Sequence, residues 1–176
     1  MNRFDVVIEL RALEPEDLDF LYRLENDPEV WQFSENQRPL SKNSLKKYLD
    51  HAHLDPFKIG QLRLVVTVDG ESVGLVDLFD FKPKHGNAMI GVVIDPLHRN
   101  KGIGVEAVLL ICDHAKSWLN CRQLAALVSE SNRHSIRLFE KAGFQKIGVI
   151  QDWVSTPKGY ENQIWYQKKI DEFDEE

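Results

Sequence analysis

Apolar and polar residues alternate from Val6 to Leu13, with Ile8, Leu10 and Ala12 on one side, which predicts a first strand with one buried face. Glu14 and Pro15 then open a helix: proline is tolerated in a first turn, and Glu16 and Asp17 sit where the helix dipole favours anions. Leu18, Leu21 and Tyr22 keep helical spacing toward Glu25, and Asp27 with Pro28 stops the helix. From Glu29 to Leu40 the period is lost, so Trp31, Phe33, Glu35 and Pro39 fall in a turn and loop. Ser41 reads as the N-cap of a second helix with Leu45, Tyr48 and Leu49 on one face, ending before Asp55 and Pro56.

Leu62, Leu64, Val66 and Val68 alternate along Gln61 to Val68, and a second such run spans Glu71 to Phe81. Asp69-Gly70 between them is a strong hairpin signal, because both turn positions favour positive φ. Lys82 to Asn87 turn the chain into a third antiparallel strand, Ala88 to Ile94, which Pro96 ends because it has no N–H for a ladder. Val108, Ile111, Cys112, Ala115, Trp118 and Leu119 mark one face of a long helix, followed by a strand from Gln123 to Val128. A crossover of this length implies parallel pairing, so the sheet is mixed. Asn132 caps a short helix with Ser135, Leu138, Phe139 and Ala142 at helical spacing, and Gly143 ends it. Two closing strands, Gln145 to Trp153 and Tyr160 to Lys168, join across Pro157 to Gly159, with Trp153, Trp165 and Tyr166 read as core aromatics.

Chemistry concentrates in the stretch Ile90 to Gly104, IGVVIDPLHRNKGIG. Gly102 and Gly104 let backbone N–H groups approach a ligand with no Cβ in the way. They stand at a helix N-terminus, where unpaired donors and the dipole favour an anion, and Arg99 and Lys101 add charge suited to phosphate. A pyrophosphate fits that description; a helix start whose glycines serve packing fits the same letters. Walker A is excluded, since it needs Gly-Lys-Ser or Gly-Lys-Thr. Read as Gly102, Gly104, Ala107 the run matches a dinucleotide fingerprint, yet the next strand runs into Ser129 and Glu130, beyond where that motif places its acidic residue.

Composition narrows the class. A chain of 176 residues, 43% hydrophobic and 28% charged, has the size and make-up of one ordinary globular domain, here expected over 1–170 with an acidic tail over 171–176. No apolar run is long enough to span a bilayer, and Asp5 and Glu9 interrupt the place of a signal peptide's apolar stretch, so a cytoplasmic protein with no membrane partner is expected. Cys112 and Cys121 lack zinc spacing and disulfide density, and the histidines show no ligand pattern, so no metal is inferred. A formal net charge of −6 argues against nucleic acid and suits a cationic substrate.

The order of elements, with Arg99-Asn100-Lys101-Gly102-Ile103-Gly104 and the segment Asn132 to Phe144, resembles the GNAT superfamily of acetyl-CoA-dependent N-acetyltransferases over nearly the whole chain. The resemblance implies an α/β (α+β) fold with a mixed, mostly antiparallel sheet of about six or seven strands flanked by about four helices. It implies acetyl-CoA as co-substrate: backbone groups of Val92, Val93 and Ile94 on the pantetheine arm, the amides from Asn100 through Lys101, Gly102 and Ile103 to Gly104 with Arg99 on the pyrophosphate, Asn132 near the thiol end and Lys141 toward the nucleotide. The reaction so implied is direct attack of a neutral amine on the thioester, with a backbone N–H near Val93 stabilising the oxyanion and a carboxylate, often through water, taking the proton.

The chain departs from that pattern at two places. Phe139 stands in the slot where the family frequently carries a tyrosine as general acid, and Met89 stands on the meander strand where relatives often carry glutamate. No catalytic residue is therefore assigned. Asp77, Glu35 and Asp152 are the candidate carboxylates for a base or for gripping a cationic amine; each also reads as a solvated or structural acid. Gly74 to Leu78, Lys84-His85 and Gly159 to Asn162 are similar to the spermidine and ribosomal-protein N-terminal acetyltransferase branch, which implies a polyamine such as spermidine as the first choice of acceptor and a homodimer or larger homo-oligomer. The alternatives are a protein N-terminus, an amino sugar, or a catalytically weak acetyl-CoA-binding sensor or interaction module.

Overall fold

A computed structural model describes residues 6–33 and 38–171. It contains a seven-stranded sheet: β1 (Ile8–Ala12), β2 (Gln61–Val68), β3 (Glu71–Lys82), β4 (Asn87–Ile94), β5 (Gln123–Ser129), β6 (Gln145–Thr156) and β7 (Gly159–Lys169). The spatial order is β1-β2-β3-β4-β5-β7-β6, and every neighbouring pair is antiparallel except β4 and β5. The helices are α1 (Leu18–Glu25), α2 (Pro28–Trp31), α3 (Lys42–His51), α4 (Pro56–Ile59), α5 (Ile103–Leu119) and α6 (Arg133–Lys141). The mixed, mostly antiparallel architecture is the one expected. The expected parallel crossover through α5 is present as well.

Each sheet face buries its own core. Val66, Val76, Leu78, Ile90, Leu124, Ala126, Val128, Ile164 and Tyr166 point toward α5 and α6 and pack on Val108, Ile111, Ala115, Phe139 and Phe144. Val65, Leu75 and Val93 point the other way, against Leu21 and Leu24 of α1 and Leu45 of α3. Odd and even positions of one strand thus serve two layers, as the two-residue period requires.

Three expectations change. Pro28 stops α1 but also starts a helix: Asp27 caps α2 by accepting from the Glu29 N–H, so part of the expected loop is a helical turn. Trp118 has the right spacing for the core and is 76% exposed. Asn120 adopts φ +52°, the Cys121 N–H donates to the Ala115 carbonyl, and the returning Cys121 side chain is buried in that core. Trp153 is likewise exposed, whereas Tyr166 is buried and Trp165 half-buried. Among the described residues no helix is long and apolar enough to cross a membrane.

Candidate active site

β4 and β5 pair only at Asn87 with Gln123, Ala88 with Leu124 and Met89 with Ala125. Beyond Met89 the two strands part, each still held by its other neighbour, β3 or β7. The Asp95 N–H donates to the Val73 carbonyl, so by antiparallel alternation Val93 and Gly91 also spend their backbone groups on β3. Ile90, Val92 and Ile94 therefore turn theirs toward the gap, where the Ile94 carbonyl accepts Arg99 Nε at 3.0 Å. Val93 has its own N–H committed; Val92 presents the N–H that faces the opening at this height.

The gap is part of a cleft of about 1040 Å³ that reaches both layers of the protein. Of the residues anticipated for the cofactor, Val92, Val93, Ile94, Arg99, Asn100, Gly102, Ile103, Gly104, Asn132 and Lys141 line this cleft; Lys101 does not. Asp95 builds the approach to the loop. Burial alone would raise its pKa, but the Arg23 guanidinium and the Leu97 N–H hold its carboxyl below the usual range, and its Oδ1 accepts that N–H at 3.1 Å.

Asn100 (φ +62°) and Gly102 (φ +82°) then fold the turn so that α5 begins at Ile103. A Cβ on Gly102 would meet nothing within 4 Å, so the space above it is open. A Cβ on Gly104 would lie 2.5 Å from Leu138 Cδ1, so this glycine also lets α5 and α6 close on each other. The first intrahelical bond is Glu106 N–H to Gly102 carbonyl, which leaves the N–H groups of Ile103, Gly104 and Val105 as the donors of the first turn. Arg99 reaches across the opening to Glu29, with Nη1–Oε2 at 3.0 Å.

α6 forms the adjoining wall. Asn132 Oδ1 accepts from the Ser135 N–H at 3.1 Å, which fixes the cap, and the residue lines the cleft. His134, Arg137 and Lys141 line the cleft at helical spacing and make a basic row. Of these three, only Lys141 is among the residues expected from the sequence to hold the cofactor. Phe139 lines the cleft too, 4% exposed, with its ring edge-on to Phe144 at 5.1 Å and stacked with Tyr166 at 6.5 Å. Tyr166 is no substitute acid: its hydroxyl donates to Glu140 Oε1 at 3.1 Å, and burial with that bond pushes its pKa up.

The opposite end of the cleft, on the α1–α3 side, has a charged floor. Arg63 donates through Nε to Asp77 Oδ1 at 2.6 Å and through Nη1 to Glu25 Oε1 at 2.5 Å; Gln61 Nε2 adds a bond to Asp77 Oδ1 at 2.8 Å. Side-chain exposures of 20%, 12% and 13% for Arg63, Glu25 and Asp77 place the network largely out of water. Burial would lower the Arg63 pKa, but the Asp77 charge and hydrogen bond outweigh it and the net shift is upward. The guanidinium also lies 5.5 Å from the Tyr48 ring centroid. Of the three carboxylates considered, Asp77 is thus in the cleft, paired with arginine. Asp152 (φ +50°) sits in an irregular stretch of β6, exposed and outside the cleft, its N–H donating to Asn162 Oδ1. Glu35 lies outside the described residues. Among those residues no cluster of three His, Cys, Asp or Glu side chains offers a metal site.

The acetyltransferase (GNAT) domain profile matches residues 8–145. Spermidine N(1)-acetyltransferase of Escherichia coli K12 is 29% identical over 158 residues, covering 89% of this chain and 83% of that protein. The crystal structure of spermidine N-acetyltransferase from Vibrio cholerae with CoA and spermine superposes with a TM-score of 0.83 at 24% identity, covering 92% and 95% of the two chains. A dodecameric structure of the Vibrio enzyme gives 0.77 at 25% identity over 93% and 94%. With a profile match spanning most of its length and a splayed parallel pair of strands opening onto a glycine turn, the chain belongs to the GNAT family of acetyl-CoA-dependent N-acetyltransferases.

Proposed function

We propose that the protein acetylates a primary amine of a polyamine such as spermidine, drawing the acetyl group from acetyl-CoA. The observation that carries the acceptor choice is the Glu25–Arg63–Asp77 floor, two carboxylates around one guanidinium, at the end of the cleft away from the glycine turn. Among these three side chains the carboxylates outnumber the guanidinium, which suits an ammonium group entering from the α1–α3 side. Relatives named as spermidine acetyltransferases support the same choice.

The fit to the co-substrate rests on the open space over Gly102 and the donors of the α5 first turn, which suit a pyrophosphate. Arg99 exchanges its contact with Glu29 for the phosphates, and His134, Arg137 and Lys141 continue the basic wall. The backbone groups of Ile90, Val92 and Ile94 pair with the amides of the pantetheine arm as a further strand would. Acetyl-CoA supplies a thioester carbonyl open to nucleophiles. The Val92 N–H stands where the carbonyl oxygen gains charge, and the walls of the gap hold amine and carbonyl in line. With Phe139 in the acid's usual slot, the sulfur leaves as thiolate, which a thiol of pKa ~8.5 allows. The exposed Ile147, Val149, Trp153 and Tyr160 on the β6–β7 hairpin support a homo-oligomer, which light scattering against the 20.4 kDa chain checks.

The test is thiol release from acetyl-CoA with spermidine, an N-terminal peptide and glucosamine as acceptors. Spermidine is expected to give the highest kcat/KM. Faster turnover of the peptide or the sugar moves the acceptor class, and CoA binding by calorimetry without thiol release from any acceptor leaves a binding module instead of an enzyme.

A further inference from the structure

Facing the charged floor across the gap is a wall that has no part in the acetyl-transfer chemistry proposed above for Val92 and the glycine turn. Register carries the position: Met89 pairs with Ala125, so four residues on, Ser129 stands level with Val93 across the opening, and Ser129 pairs with Gln163 of β7. Gly91, Val93, Ser129 and Gln163 all project to the α1–α3 side, the side on which Asp77 and Arg63 lie. Gln163 lines the cleft, flanked by Leu127, Ser129, Val154 and Ser155. Its Oε1 is sealed from solvent and has no hydrogen-bond partner among the described residues. A buried carbonyl oxygen without a donor is costly, so this amide gains nothing from its present orientation and is free to serve a ligand in the cleft that it lines. Among the described residues no bond holds the amide in this orientation, so a rotation about its last torsion exchanges its two ends, bringing the oxygen to the cleft and turning the NH2 group inward without breaking a bond.

We propose that Gln163 orients the acceptor nitrogen. This rests on the reading of the cleft as an amine acetylation site. A primary amine that attacks as –NH2 carries two N–H bonds. One hydrogen is lost to water as the N–C bond forms and the C–S bond breaks; the other stays in the amide product. Gln163 Oε1 accepts the retained N–H, which turns the nitrogen lone pair toward the gap at the height of Val92 and Val93. An amide oxygen suits this task because it takes no proton itself and keeps its acceptor character at every working pH. The arrangement also selects by amine class. A secondary amine has a single N–H, the one it must lose, and leaves the Gln163 oxygen unsatisfied in the transition state.

Gln163→Met keeps length and bulk and deletes the acceptor; Gln163→Glu keeps an acceptor in the same place. Steady-state thiol release is measured with a primary and an N-methylated secondary amine of otherwise equal structure. For Gln163→Met the expected result is a fall of about 10-fold or more in kcat/KM for the primary amine, one lost hydrogen bond's worth, and a primary-to-secondary preference that collapses toward unity. KM for acetyl-CoA and the calorimetric affinity for CoA stay within twofold, and Gln163→Glu retains most of the preference. Thermal stability of Gln163→Met is expected to equal or exceed that of the parent, because an unpaired buried polar atom has been removed; a structural role predicts the reverse. An unchanged primary-amine kcat/KM, or a rise in acetyl-CoA KM equal to that for the amine, overturns the assignment. A parent protein that acetylates no amine overturns the amine reading itself, and Gln163 with it.

Discussion

Arg63→Met tests the charged floor. The substitution fills similar space and leaves Glu25 and Asp77 without the guanidinium that holds both, at 2.5 and 2.6 Å. All three side chains are at most one-fifth exposed, so solvent screens the loss only in part. Removing one partner of a largely buried pair costs about 3–5 kcal/mol, and two charge-assisted hydrogen bonds at ~1.5–3 kcal/mol each bracket that figure at ~3–6 kcal/mol. At ~2–4 °C per kcal/mol for a chain of this length, the melting temperature should fall by roughly 6–20 °C. Urea unfolding at pH 7.5 is the assay, and a deficit below ~1 kcal/mol there refutes the network as described. Arg63→Lys, which keeps charge but not the fork, should lie between.

Phe139→Tyr should raise kcat at saturating substrates, since a positioned acid is typically worth ~10²-fold or more, and should add a basic limb to the pH profile; an unchanged kcat means that thiolate departure needs no side chain. Gly102→Val puts a β-branched residue at φ +82° and a side chain into the open space of the turn, so calorimetry should show CoA affinity lost with the far-UV spectrum retained. In Asp17 and Asp95 burial opposes ionisation but the hydrogen bonds from Arg11 and Arg23 prevail, and both carboxyls stand below their ordinary pKa. Their stabilisation is complete above the unfolded value of ~3.9 and is lost as pH drops through the folded ones, so the urea midpoint should fall steeply below pH 4 and less steeply in Asp95→Asn.

Local pattern carried the strands, the capped helices and the glycine turn, because each depends on residues close in sequence. The floor was hidden by one residue. Counting outward from Asp69-Gly70 places Arg63 opposite Val76, on the opposite face from its charge partner. A bulge between Val66 and Thr67, with Val73 as the extra residue, moves Arg63 opposite Asp77 and creates the pair. Nothing in the letters marks that bulge. The splay of β4 from β5 is equally silent, since the same apolar runs serve a fully paired ladder. Arg137 and His134 are legible in the sequence, because with Lys141 they keep one helix face. Gln163 had no signal, for an isolated glutamine on a closing strand is an ordinary surface residue until the pairing places it at the cleft.

The central claim is that the opening between β4 and β5 receives the co-substrate, with its phosphates on the α5 turn. A crystal structure of the protein with CoA tests it most directly. The account predicts the pantetheine arm between Ile90–Ile94 and Leu127–Ser129, its amides bonded to Val92 or its even-numbered neighbours, the pyrophosphate over Asn100–Gly104, and Arg99 released from Glu29. CoA bound away from that gap, or the pyrophosphate remote from Gly102 with the Arg99–Glu29 pair intact, contradicts it.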